Sequence, residues 1–97
     1  MKTQQMVAEL QEVARRLGFQ VRIEKGSFRG GRCTVGGEEL IVLNRLHPPE
    51  VHLAVLADSF RGLPLDSIFI TPAVRRAVEQ VWARGAEVDD SMIPDTE

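Results

Sequence analysis

Apolar residues recur at three- and four-residue steps near the start of the chain, at Met6, Leu10, Val13, Ala14 and Leu17. That spacing puts them on one face of an amphipathic helix over residues 3–17. Gln4, Glu9, Glu12, Arg15 and Arg16 fall mainly elsewhere, and Glu12 and Arg16 make a supportive i,i+4 pair. Gly18 is placed to stop the helix. The period then drops to two. Phe19, Val21 and Ile23 alternate with Gln20, Arg22 and Glu24, the pattern of a strand with one buried face.

After the stretch KGSFRGG, Lys25 to Gly31, the residues RCTV read as a second short strand, with Cys33 and Val35 on one side. Gly36-Gly37 is a two-residue hairpin signal. The third strand, ELIVLN, is apolar on both faces from Leu40 to Leu43, as a more deeply buried strand is. Two tight connections predict an antiparallel meander. Pro48-Pro49 then opens a helix over 50–60 that is apolar around most of its circumference, which places it centrally. LPLDSIFI runs extended, Thr71-Pro72 starts a last helix over 72–84, and Gly85 closes it.

The expected fold is α+β in the order α-β-β-β-α-α, a three-stranded antiparallel meander packed by helices. Residues 1–85 form one domain, and 86–97 form an acidic tail expected to be disordered. The expected core is Leu10, Leu17, Val21, Ile23, Val35, Ile41, Leu43, Leu53, Leu56, Phe60, Val78 and Val81.

Composition narrows the class without naming an activity. The chain has 97 residues, 43% hydrophobic and 27% charged, which suits one ordinary globular domain. Its apolar runs are far shorter than the roughly 20 residues that cross a bilayer. The start, MKTQQMVAEL, has no apolar signal-peptide region. A single cysteine forms no internal disulfide and suits a reducing compartment, so the expected location is cytoplasmic.

The net charge of −2 hides an asymmetry. Residues 86–97 carry Glu87, Asp89, Asp90, Asp95 and Glu97 and no cation. Residues 15–32 carry Arg15, Arg16, Arg22, Lys25, Arg29 and Arg32 against Glu24 alone. Such an imbalance marks a surface for an anionic partner, or else an ordinary solvated face.

Four constellations bear on chemistry. The glycine-rich stretch is followed by Arg32-Cys33 and a strand, not by the Lys-Ser/Thr and helix of a phosphate-binding P-loop. It reads as a hairpin loop, able to offer Arg29, Arg32 and loop amides to an anion. Cys33 is a candidate nucleophile only if a base or cations lower its pKa, with Arg29, Arg32, His47 and His52 the groups at hand. Strand alternation instead predicts an inward, inert cysteine. His47 and His52 lie five apart, one residue off the spacing that puts two rings on one helix face, so no metal site and no cofactor are expected. Phe28 among Arg22, Lys25, Arg29 and Arg32 offers one stacking platform for nucleic acid. The pI of about 5.7 and the absence of tyrosine oppose that reading.

The segment from LGFQVRIEKGSFRGGRCTVGGEELIVLNRLHPPEVHLAVLADSF to IFITPAVRRAVE resembles a set of short, uncharacterised bacterial proteins, a likeness that implies no activity. The order of elements also resembles ImmA/IrrE-type minimal zincin peptidases, in which a similar strand leads to a helix carrying HExxH. Here the aligned helix puts Val55, Leu56 and Ser59 where the His, Glu and second His would stand. The resemblance therefore implies a scaffold without its peptidase chemistry.

The leading functional expectation is a non-catalytic binding or regulatory module. It would contact a protein or an anionic ligand through Lys25, Phe28, Arg29, Arg32 and nearby Arg45. The alternatives are a thiol enzyme or redox sensor using Cys33 with His47 or His52, and a weak nucleic-acid binder. No membrane partner is expected, and the edge strands of a small sheet invite a homo-oligomer.

Overall fold

A computed structural model describes the backbone of residues 1–92 and the side chains of residues 1–84. The elements are α1 (Thr3–Arg16), β1 (Gln20–Glu24), β2 (Gly30–Val35), β3 (Glu38–Asn44), α2 (Pro49–Ser59), a 3-10 turn (Leu65–Ser67) and α3 (Pro72–Met92). The fold is α+β. Among the described residues no helix is long and apolar enough to cross a membrane.

The helix faces follow the predicted spacing. α1 buries Val7, Leu10, Val13 and Ala14. It ends where predicted: Gly18 takes a φ of 98°. The Phe19 amide donates to the Ala14 carbonyl at 2.9 Å and the Gly18 amide to the Arg15 carbonyl at 3.0 Å. This is the paired bonding of a Schellman motif, and it turns the chain so that Phe19 enters the core. α2, apolar nearly all round, packs against α1, α3, β2 and β3, which is why it has no polar face. Phe60, Leu10, Ile41, Leu43, Leu56, Val74 and Val78 are the largest fully buried side chains.

α3 is tied to the rest at both ends of its described side chains. Thr71 is its N-cap, since its carbonyl accepts from the Arg75 amide at 2.9 Å. The Thr71 hydroxyl and amide both donate to the Glu9 carboxylate of α1, at 2.8 and 2.7 Å. A negative charge at a helix N-terminus is favourable, so the contact both caps α3 and joins it to α1. Farther along, the Trp82 indole N–H donates to the Ala57 carbonyl at 2.6 Å. α3 continues through Gly85 rather than closing there. One glycine inside a helix costs only about 1 kcal/mol, and no proline follows until Pro94. Of the tail expected to be disordered, 86–97, the backbone is helical as far as Met92, and residues 93–97 lie outside the described residues.

The sheet is mixed, not a meander. Its order is β1-β3-β2, with β2 antiparallel to β3 and β1 parallel to it. The Gly36-Gly37 hairpin forms as predicted between β2 and β3. β3, the most apolar strand, takes the central position between two neighbours. Ile23 and Gly30 both pair with Leu43, so β1 ends and β2 begins at the same end of the sheet. The segment 25–29 therefore arches over the end of β3, a span of about 10 Å at the usual strand spacing. The predicted hairpin loop is this arch.

The helices cover one face of the sheet. Ile41 and Leu43 belong to the main core cluster, while Leu40, between them and the turn, is buried outside it. The covered face thus holds Glu39, Ile41 and Leu43 with their β2 partners Thr34, Arg32 and Gly30. The uncovered face holds Leu40 and Val42 with Cys33 and Gly31. Val35 lies on that face 59% exposed, and Ile23, on edge strand β1, is 41% exposed, so neither belongs to the core as expected. An edge strand has a neighbour on only one side to shield its side chains.

Candidate functional site

The site is built on the end of β3. Asn44 is only 2% exposed, a polar side chain closing an apolar strand. Its Nδ2 donates to the Gly26 carbonyl at 2.8 Å and to the Phe28 carbonyl at 2.6 Å. Its Oδ1 accepts from the Leu46 amide at 3.0 Å. A buried amide with all three bonds made fixes the arch against the strand beneath it. The Arg45 amide adds a bond to the Glu24 carbonyl at 2.9 Å.

The histidines serve the same node. The Asn44 carbonyl accepts the His47 amide at 3.0 Å and lies 2.6 Å from His52 Nε2. A carbonyl only accepts, so His52 Nε2 carries a proton and donates. His52 thereby ties the first turn of α2 to β3. His47 Nδ1 is buried without a hydrogen-bond partner among the described protein atoms. Among the described residues no cluster of three or more His, Cys, Asp or Glu side chains is placed to hold a metal ion. Val55, Leu56 and Ser59, where a zincin would carry its motif, are buried in α2, and Ser59 Oγ donates to the Val55 carbonyl at 2.8 Å.

Beyond the arch, one glycine of the loop is demanded by packing. Gly30 has a φ of 96°, and a Cβ on it would run into the Val42 carbonyl oxygen. β2 thus starts in close contact with β3, with no side chain in the way. The glycines of this segment let the backbone bend and approach β3.

Phe28, Arg29, Arg32 and Cys33, all singled out from the sequence, line one cleft of about 480 Å³ together with Glu24, Gly30, Gly31 and Val42. Lys25 and Arg45 flank the same end of the sheet without lining it, and among the described residues neither forms an ion pair. The two arginines of the cleft have partners. Arg29 lies 3.8 Å from Asp58, and Arg32 lies 3.3 Å from Glu39 and 5.1 Å from the centroid of the Phe19 ring. Both ion pairs are substantially exposed. Pairs of that kind contribute about 0–1 kcal/mol, less than a bidentate bond to an incoming carboxylate provides. The arginines are therefore held in place but open to exchange.

Cys33 is exposed, contrary to the inward cysteine expected. It does share a face with Val35, but that face carries no helix. It pairs with Leu40, four residues from Asn44, so about 13 Å of strand separates it from the histidine node. Cys33, His47 and His52 do not converge.

A second cavity, about 170 Å³, borders the same segment from the covered face. Val55, Asp58 and Ser59 of α2 line it with Arg29, Gly30, Gly31 and Arg32. The α2 residues were beyond reach of sequence reasoning, because only tertiary packing brings them to β2. Asn44 did leave a signal, as the one polar residue ending the run LIVLN.

No family model matches this chain, and no curated protein or solved structure is found to be similar to it.

Proposed function

We propose that the chain is a non-catalytic binding module whose Lys25–Arg32 segment contacts a protein or an anionic ligand. The observation that carries this reading is the latched arch: Asn44 holds Gly26 and Phe28. Phe28, Arg29 and Arg32 thereby stand around one cleft. A segment held before the ligand arrives loses less conformational entropy on binding. The aromatic edge and the two guanidinium groups supply contact area and charge complementarity, and Lys25 and Arg45 add positive field at the same end.

The test is a titration of isotopically labelled protein with hexaglutamate and, separately, with tripolyphosphate. Amide shifts are expected to concentrate at residues 26–33 and Val42. Shifts confined to other surfaces, or none at millimolar probe, would remove the reading.

A second reading is favoured by one observation, the exposed thiol of Cys33 on the cleft wall. In that reading Cys33 is the reactive group of a redox sensor or thiol enzyme, in a reducing cytoplasm. The rate of iodoacetamide reaction of the folded protein, followed against pH, tests it. A thiol that reacts no faster than a free cysteine peptide at every pH leaves no basis for special reactivity.

A further inference from the structure

We infer that the outer edge of β2 takes up an extended acidic peptide of a partner protein as a fourth strand. The inference rests on the binding role proposed for the Lys25–Arg32 segment and specifies its occupant. In the order β1-β3-β2 the strand β2 is an edge, so among the described residues its outer backbone groups have no strand partner. It carries neither proline nor lysine, two of the devices that keep an edge from pairing.

Two cavities border the start of this edge, and both are lined by Arg29, Gly30, Gly31 and Arg32. They lie on opposite faces of the sheet. The smaller, about 170 Å³, is walled by Val55 and Ser59 of α2. The larger, about 480 Å³, is walled by Phe28 and Val42 on the uncovered face. Successive side chains of an extended peptide point to opposite faces. A strand laid along β2 therefore sends alternate side chains into the two cavities, the arrangement by which strand addition gains specificity. Arg32–Val35 supply the ladder, and Gly30 and Gly31 place no side chain in the path of residues that continue past Arg32.

Charge selects the occupant. Arg29 and Arg32 border both cavities, and each lining holds one carboxylate, Asp58 in the smaller and Glu24 in the larger, so positive charge is in surplus in both. Like charges across a strand pair are unfavourable, whereas glutamates or aspartates at those positions are complementary. The occupant alternates small apolar and acidic side chains, the apolar ones entering the covered cavity beside Val55 and the acidic ones reaching Arg29 and Arg32 from the larger cavity.

The experiment uses a capped octapeptide of alternating glutamate and valine, measured by calorimetry against the full chain. Three comparison peptides are used: lysine in place of glutamate, and two versions N-methylated at odd or at even residues. The glutamate peptide is expected to bind at least tenfold more tightly than the lysine peptide. One N-methylated version, the one whose amides face β2, is expected to lose tenfold or more while the other retains its affinity. If both N-methylated versions bind like the parent, no strand is added, yet the charged site of the proposed function stands. If hexaglutamate shifts residues 26–33 but the octapeptide does not bind, strand addition is likewise overturned. Absence of any acidic probe binding removes both. A concentration-dependent dimer abolished by Thr34→Pro assigns the edge to a second copy and overturns the acidic occupant.

Discussion

Asn44 donates to the Phe28 carbonyl at 2.6 Å, joining the end of the central strand to the middle of a segment 16 residues earlier in the chain. The same nitrogen also holds Gly26 at 2.8 Å, so one side chain sets the path of the arch. The candidate site depends on this bond for its shape.

Replacing Asn44 with alanine removes the bonds to Gly26, Phe28 and Leu46 and leaves two partly buried carbonyls without this partner. The expected cost is about 2–4 kcal/mol. For a domain of this size that lowers Tm by roughly 10 °C or more. Asn44→Asp is expected to be comparably harmful, since a carboxylate cannot donate to those carbonyls. Calorimetric scans of both variants check this. An unchanged Tm in either would mean the arch is held by something else.

Gly30→Ala is expected to destabilise by about 2 kcal/mol or more, from a positive φ and a collision with backbone that cannot give way. Urea unfolding measures it. A loss below a few tenths of a kcal/mol would show that β2 does not start as close to β3 as described.

The Glu9 carboxylate caps α3 through Thr71. Glu9→Ala is expected to cost about 1–2 kcal/mol, as loss of a good helix cap does. In a Thr71→Ala background the same change should cost less, because one of the two bonds is already gone. Equal costs in both backgrounds would contradict the coupling.

Cys33 is expected to be titrated by a thiol reagent without denaturant, at one equivalent per chain. If labelling waits for denaturant, the uncovered sheet face has been assigned wrongly.

Much of this arrangement was legible in the sequence, for local reasons. The spacing of Leu10, Val13 and Ala14 and the stop at Gly18 are set within a few turns of helix. The apolar run in β3 marked it as the more deeply buried strand, although the expected meander put β2 rather than β3 in the middle. What the sequence concealed was non-local. Five residues between β1 and β2 suit a hairpin or an arch, and only the competition for β3 decides between them. Alternation told which residues share a face with Cys33, but not which face the helices would cover. Phe28, Arg29 and Arg32 could be grouped from the sequence because they share one segment, and they line one cleft. Val55 and Asp58 were not, because α2 is brought to β2 only by packing.

The most direct test of the binding role compares two double variants that remove the same charge. Arg29→Ala/Arg32→Ala alters the cleft, while Arg15→Ala/Arg16→Ala alters exposed α1 positions paired with Glu12. Hexaglutamate affinity is measured for both by calorimetry at about 0.1 M salt, with Tm recorded alongside. The cleft variant is expected to lose tenfold or more with Tm nearly unchanged, and the α1 variant to stay within about twofold, since screening confines surface charges to about 10 Å. Equal losses in the two variants would show that overall charge, not the arch and its cleft, attracts the ligand.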